Sequence, residues 1–514
     1  MFEAVSQQFS LFGGAFIQAF SYPQVFVTII ATVAGIVVGA IPGLTATMAL
    51  ALLINLTYSM QLSVAVAFLL GVYVGAVMGG CYSAIMINIP GTPSAAATAL
   101  DGFVLAKQGH GGQAIGVGVI ASFIGTVFSI IVFVFLTPFL YRIALKFGQW
   151  EYFLISVFGI MICGNLSTQS TPLKGWIVGF LGFFTAMIGL DAVYAFPRFT
   201  YGSYNLMAGI SLIPALIGVF GISEILSVLQ EDTPYSIESQ LGTVFPKKSM
   251  VKDIVSTAAR SGLIGCGIGA VPGAGEDIAA WVSYDVGKRR SKRGHLFGKG
   301  SYEGLASAET ANNACIGGSM IPLLTLAIPG SPPAAMFLAA IWLHGVKPGP
   351  MLAIESPDFL YLTAVTLFIA TTSMLVFGLL LAKPMVKILK INRKILMPII
   401  VPLTVIGAYA GNVNSFDIRV MFIFGILGYI LRKLEYPMAP LVLGIILGPT
   451  ADIAFRQALM QGQGSLIPLL GRPVGIVLMV AIVWILYSGF KASKVRRAMS
   501  MAEMNTSEDE GGDK

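Results

Sequence analysis

Ala311-Asn-Asn-Ala-Cys-Ile-Gly-Gly-Ser-Met-Ile-Pro-Leu-Leu-Thr-Leu-Ala-Ile-Pro-Gly-Ser-Pro-Pro333 is apolar enough to enter a membrane, yet it carries what an ordinary spanning helix avoids. Asn312 and Asn313 place amides in hydrocarbon, and Gly317-Gly318 is a flexible pair. Pro322, Pro329, Pro332 and Pro333 remove backbone donors and are expected to break the helical ladder. Lipid offers freed backbone groups no partner, so such a break survives only where protein or a wet cavity surrounds it. Apolar segments interrupted by Gly and Pro are the best sequence pointer to a transporter's substrate site. The bland alternative for one such segment is a Pro-kinked helix that only packs.

The stretch occurs twice. Ser83-Ala-Ile-Met-Ile-Asn-Ile-Pro-Gly-Thr-Pro-Ser-Ala-Ala96 parallels Pro322-Leu-Leu-Thr-Leu-Ala-Ile-Pro-Gly-Ser-Pro-Pro-Ala-Ala335, and each follows a Gly-Gly pair, Gly79-Gly80 or Gly317-Gly318. Upstream, Gly35-Ile-Val-Val-Gly-Ala-Ile-Pro-Gly43 parallels Gly265-Cys-Gly-Ile-Gly-Ala-Val-Pro-Gly273. The first runs into Thr45 and Thr47, the second into Glu276 and Asp277. Two motifs recurring in the same order make an internal repeat.

Composition sets the solvent. Only 11% of the 514 residues are charged and 56% are hydrophobic, against roughly a quarter charged in a soluble domain. The mean hydropathy is +0.83. The chain is therefore expected to be an all-α polytopic membrane protein. Its 59 glycines and 26 prolines fit a helix bundle in lipid. Cys81, Cys163, Cys266 and Cys315 lie singly in apolar runs, as small buried residues rather than disulfide partners. The three histidines, His110, His295 and His344, form no cluster. The net charge of +7 reflects loops beside helix ends, not a nucleic-acid surface.

The apolar segments divide into an N-terminal interfacial segment (1–20), a first transmembrane repeat (21–229), a polar connection (230–253), a second repeat (254–490) and a tail (491–514) that is basic and then acidic. The positive-inside rule places Lys288–Lys299, Lys383–Lys394, Arg432-Lys433 and Lys491–Arg497 in the cytoplasm, with the C-terminus. Gly345–Asp358, Gly411–Asp417 and Thr450–Gly464 are poor in positive charge and belong outside. The alternation holds if Pro322–His344 is a re-entrant hairpin. Thr57–Gln61, the uncharged counterpart of the basic loop 288–299, then lies outside, and the repeats are expected to be inverted across the membrane.

Each Pro-Gly break starts a half-helix near the bilayer midplane, with unpaired N–H groups and roughly half a positive charge at its N-terminus. Such an end suits a carboxylate without a buried Arg. The substrate-binding candidates are Gly43, Leu44, Thr45, Thr47, Gly91, Thr92, Ser94, Gly273, Ala274, Gly275, Gly330 and Ser331. Their competing role is simply to cap helix starts. Ionisable groups inside membrane segments are costly and functional by default, so Glu276, Asp277 and Glu309, with Asn88, Asn312 and Asn313, are candidates for shaping the site or holding a coupling ion. The competing role of Asp277 is to cap the following half-helix, since Asp is a good cap. No nucleophile–base arrangement, phosphate-cradling loop or metal-ligand spacing appears, so neither an enzyme nor a direct ATP-driven pump is expected.

Gly39-Ala-Ile-Pro-Gly43, Gly269-Ala-Val-Pro-Gly-Ala-Gly-Glu276, Glu309-Thr-Ala-Asn-Asn-Ala314 and Ile328-Pro-Gly-Ser331 together resemble the TctA-type large subunit of bacterial tripartite tricarboxylate transporters, from about Phe20 to Phe490. The resemblance implies a secondary active transporter of the bacterial inner membrane, with citrate as the default among tricarboxylates and related carboxylates. It further implies a small TctB-like membrane subunit, a periplasmic TctC-like binding protein and coupling to a Na⁺ or H⁺ gradient, so Na⁺ is the one possible bound ion and no other cofactor is expected. A gradient-independent anion channel or facilitator is the alternative, and a purely structural membrane scaffold leaves the repeated loops unexplained.

Overall fold

The computed structural model describes residues 12–166, 171–230, 241–389 and 393–491. The start of the interfacial segment, residues 231–240 of the polar connection and the tail beyond Lys491 lie outside the described residues, as do Lys390 and Arg496-Arg497 of the basic loops.

Helices dominate, as a chain in lipid requires, because only a helix or a closed barrel satisfies every backbone group there. In chain order they are α1 (Tyr22–Ala40), α2 (Ala46–Leu53), α3 (Leu62–Ile87), α4 (Ala96–Leu105), α5 (Gly111–Ala144), α6 (Gln149–Leu166), α7 (Pro172–Ala186), α8 (Leu212–Gln230), α9 (Lys248–Gly269), α10 (Gly275–Arg290), α11 (Tyr302–Leu326), α12 (Pro332–Leu343), α13 (Phe359–Leu380), α14 (Arg393–Ala410), α15 (Ser415–Lys433), α16 (Met438–Gln461) and α17 (Pro473–Lys491). Among the described residues seven helical stretches are long and apolar enough to cross a membrane. The only described strands are β1 (Gly189–Leu190) and β2 (Pro197–Arg198), paired antiparallel. All four cysteines are buried.

The protein is an all-α polytopic membrane protein built as two compact units. One comprises Met1–Lys146 with Ser211–Tyr429, the other Phe147–Ile210 with Ile430–Lys514. Each sequential half of the chain contributes to both.

The first unit holds both copies of the broken-helix motif, α1–α4 and α9–α12, and glycines set the helix spacing within each. Gly35 and Gly39 of α1 lie against the backbone of Val72 and Ala76 in α3, and Gly265 and Gly269 of α9 lie against Ala311 and Cys315 in α11. Both long helices stop on a left-handed residue, Asn88 (φ 56°) after α3 and Ala327 (φ 57°) after α11. Beyond each stop the chain folds back so tightly that Gly91 abuts the Gly39 carbonyl and Gly330 the Gly269 carbonyl. A duplicated motif has become a duplicated fold.

Contacts between the copies are reciprocal. The α5 helix that follows the first copy packs on α9 and α11, and the α13 helix that follows the second packs on α1 and α3. Likewise α2 packs on α12, while α10 packs on the Pro93–Ala95 turn and α4. Swapped contacts of this kind are what a pseudo-two-fold relation between copies produces.

Two expected interruptions are absent. Pro322 and Gly317-Gly318 lie inside the unbroken helix α11. Gly318 packs against Cys266 and Gly317 against Ser129, so tertiary contact fixes what the residues alone leave loose. The break comes later, at Ala327–Ser331, where two prolines open α12. Similarly α3 continues unbroken through Gly79-Gly80 to Ile87.

Candidate functional site

The two loops of the second copy are stitched together by their own backbone. The Gly273 N–H donates to the Pro329 carbonyl at 3.3 Å, and the Gly275 N–H to the Gly330 carbonyl at 3.1 Å. Gly273 (φ 67°) and Gly275 (φ 78°) supply the left-handed turns this needs. The stitching brings the start of α10 against the start of α12. Ala274 is buried at the base of α10, and Glu276 follows in its first turn.

Glu276 is buried with neutral partners. Tyr73 of α3 donates its hydroxyl to Glu276 Oε1. The same hydroxyl lies 2.7 Å from Ser331 Oγ and 3.5 Å from Ser319 Oγ. Tyr73 and Ser319 are wholly buried. No salt bridge to Glu276 exists among the described residues. A buried carboxyl group with only neutral partners is costly to ionise and can hold a proton. Asp277 is turned back on its own helix start, facing the backbone N–H groups of Asp277 and Ile278. It acts as a cap.

A second polar cluster surrounds Glu309, about 15 Å along α11 from Ser319 at 1.5 Å per residue. Thr98 of α4 donates to Glu309 Oε1 at 2.5 Å, and Ser122 of α5 to Oε2 at 3.0 Å. Asn312 Nδ2 reaches the Ser94 carbonyl at 3.2 Å. Asn313 Nδ2 donates to Asn312 Oδ1 at 2.8 Å and to the Glu309 carbonyl at 3.3 Å. Asn313 Oδ1 is buried without a hydrogen-bond partner. Thr92 and Ser94 bond each other through their hydroxyls at 2.9 Å.

The first copy's upstream break is chemically quieter. Thr45 caps α2, accepting from the Met48 N–H at 3.1 Å. Leu44 and Thr47 are buried, and Gly43 turns with φ 88° beside Val228. Ser331 has a comparable capping bond from Ala334 N–H at 3.3 Å, so Thr45 and Ser331 do fill the capping role set against ligand binding. Asn88 terminates α3 and is exposed rather than gathered into either cluster. Sequence reasoning missed Tyr73, Ser319, Thr98 and Ser122, four hydroxyls whose carboxylate or hydroxyl partners come from distant parts of the chain. It also missed Asp101, wholly buried in α4. Asp101 Oδ1 accepts from the N–H groups of Gly298, Gly300 and Ser301 at 2.7–2.9 Å, and Oδ2 from Tyr284 hydroxyl at 2.8 Å. It anchors the basic loop between α10 and α11 to the first copy.

The family profile described as "Tripartite tricarboxylate transporter TctA family" matches residues 25–443, so it takes in every residue of both clusters. Among curated proteins, the chain is similar to an "Uncharacterized 52.8 kDa protein in TAR-I ttuC' 3'region" of Agrobacterium vitis. They are 34% identical over 412 residues, 80% of this chain and 82% of the relative. An "Uncharacterized protein in TAR-II ttuC' 3'region" of the same organism is 36% identical over 212 residues, 41% of this chain and 88% of the relative. No solved structure matches.

Proposed function

The chain belongs to the tripartite tricarboxylate transporter TctA family, and from that premise we propose that it is the large membrane subunit through which a carboxylate crosses the bilayer. The observation that carries the reading is the duplicated break itself. Two Pro-Gly loops in each copy open four helix starts inside one unit, and the copies exchange contacts reciprocally. Helix N-termini with Thr45, Thr47, Thr92, Ser94 and Ser331 beside them supply donors for carboxylate oxygens. Citrate is the default substrate.

The buried acids take the coupling ion. Glu276 is held by Tyr73 and Ser331, while Glu309 lies beside Thr98, Ser122 and the amides of Asn312 and Asn313. Each can take up a proton, and Asn313 Oδ1 adds an oxygen acceptor suited to Na⁺. Occupancy by the ion neutralises charge beside the substrate carboxylates, which makes loading of the two interdependent. The copies are inverted across the membrane of a bacterial cell, with the C-terminus in the cytoplasm, and alternating access exchanges their roles. A small membrane subunit and a periplasmic binding protein complete the system.

The test is carboxylate uptake into proteoliposomes holding this chain and its small subunit. The binding protein is added or omitted, and Na⁺ and proton gradients are imposed separately. Saturable uptake that needs the binding protein and follows one gradient is expected. Non-saturating flux indifferent to both gradients supports an anion channel instead and ends the coupling assignment.

A further inference from the structure

The second compact unit carries a structure that the transport reading does not use. Helices α7 and α16 run parallel, pressed together through Gly179, Gly182, Gly444 and Gly448. Near their starts, Lys174 Nζ donates to the Leu434 carbonyl at 2.7 Å, which places that end beside the basic pair Arg432-Lys433. At the other end the chain leaves α7 and makes the β1–β2 hairpin. A ring of four charges ties this hairpin to α16. Arg456 bonds Asp191 at 2.6 Å and Asp452 at 3.0 Å, while Arg198 bonds Asp452 at 3.0 Å and lies 3.8 Å from Asp191. The Val193 N–H, with Arg456 and Arg198 beside it, holds the Asp191 carboxyl below the ordinary carboxylate range.

Asp191 and Arg198 are the only charged residues between Ile188 and Ser211, and the ring consumes both. What remains outward is aromatic. Tyr194, Phe196, Phe199, Tyr201 and Tyr204 are exposed, Tyr201 by 90%. Ile177, Phe180, Leu181 and Phe184 on the preceding helix α7 are exposed as well. Depth points the same way. At 1.5 Å per residue, Asp452 and Arg456 lie roughly 21 and 27 Å beyond Met438; with the hydrocarbon boundary taken at Met438, that is inside a layer of about 30 Å. Charges at that depth must pair away from lipid, and they do.

We propose that residues 189–204 form an anchor in the bilayer interface on the face away from Arg432-Lys433, with their aromatic side chains seated among lipid headgroups and upper acyl chains. The charge ring fixes the hairpin at that depth, the hydroxyls of Tyr201 and Tyr204 face the headgroup water, and the Tyr194 hydroxyl donates to Met460 Sδ at 3.6 Å. Tyr and Phe are suited to this boundary because one end of the ring system is apolar and the other wet. The inference requires a bilayer but not transport, so it stands or falls apart from the proposed activity.

The wild-type chain is reconstituted in phosphatidylcholine–phosphatidylglycerol vesicles containing a phospholipid with a diazirine near its headgroup, irradiated and mapped by mass spectrometry. Adducts are expected on residues 194–204 as well as on the exposed face of α7. Adducts on α7 alone overturn the proposal. In a second measurement, nitroxides on Phe199→Cys and Tyr201→Cys are compared with Leu181→Cys for lipid and Gln463→Cys for water; the buried native cysteines make the unsubstituted chain the labelling control. Relaxation by oxygen rather than by a water-soluble nickel chelate is expected at 199 and 201. Relaxation by nickel, or its suppression only when a soluble protein partner is added, overturns the lipid assignment in favour of a docking surface.

Discussion

The two copies of the repeat share a backbone and differ in chemistry. Gly39 and Gly269, Gly43 and Gly273, Gly91 and Gly330, and Asn88 and Ala327 occupy matching joints with matching contacts or dihedrals. At the same register, however, Ala46 and Thr47 stand where the second copy has Glu276 and Asp277. Leu70 stands in place of Glu309, Gly80 in place of Ser319, and Tyr73 in place of Asn312. Glu276 and Glu309 belong to the second copy, yet their hydroxyl partners Tyr73 and Thr98 come from the first and Ser122 from the helix that follows it. Duplication therefore supplied the geometry, and divergence supplied a polar network that neither copy can assemble alone.

If the backbone is common property, breaking it should be equally damaging in either copy. A Cβ on Gly91 would sit 2.1 Å from the Gly39 carbonyl oxygen, and one on Gly330 would sit 1.8 Å from that of Gly269. Backbone cannot yield as a side-chain tip can, so each Gly→Ala change should exceed the usual overpacking cost of about 1–3 kcal/mol. Loss of monodisperse protein in detergent is expected for both. A well-folded Gly91→Ala beside an unfolded Gly330→Ala would show that the two joints are not equivalent.

The chemistry should fail on one side only. Glu276→Gln keeps the shape and an acceptor for Tyr73 but removes the ionisable group. An uptake loss of about ten- to hundredfold is expected, the equivalent of one charged hydrogen bond at about 1.5–3 kcal/mol. Thermal stability should be little changed. At the position matching Glu276, Ala46→Ser adds no ionisable group and should leave uptake within about twofold, about 0.4 kcal/mol. Comparable losses on both sides would sink the assignment of coupling to the second copy.

Legibility in the sequence follows the same division. Glycine and proline act locally, so the joints at 35–43, 88–94, 265–277 and 328–333 could be read from the chain, and the acids announced themselves by being charged in an apolar run. Tyr73 and Ser122 could not be found this way. A hydroxyl in a membrane helix usually bonds its own i−4 carbonyl, as Thr126 does with Ser122, so its residue type carries no hint of a distant acid. Asp101 was legible by the same rule, as an acid in an apolar run, and was passed over; only its partners, backbone N–H groups in a loop far along the chain, were hidden. Pro322 misled for the opposite reason. Its local preference is real, but packing on both sides of Gly317-Gly318 holds the helix straight through it.

The finest difference between the copies is at the residue that ends each long helix. Both adopt φ near 57°, a conformation that costs an L-residue roughly 1–2 kcal/mol but that Asn tolerates better than Ala. Ala327 also holds the helix end through its N–H to the Leu323 carbonyl at 3.0 Å, a bond that any residue can make. Ala327→Gly should therefore relieve strain, less about 0.4–1 kcal/mol for the added freedom of the unfolded chain. A net gain of about 0.5 kcal/mol follows, a rise of a degree or two in Tm. Asn88→Gly, starting from a residue already suited to the turn, should gain nothing. Asn offers a sharper control, since Ala327→Asn borrows the first copy's own solution and should recover part of the gain without glycine's flexibility. Equal shifts at 88 and 327 would mean that the strain is set by the surrounding packing rather than by the residue, and the joints would then be alike in energy as well as in shape.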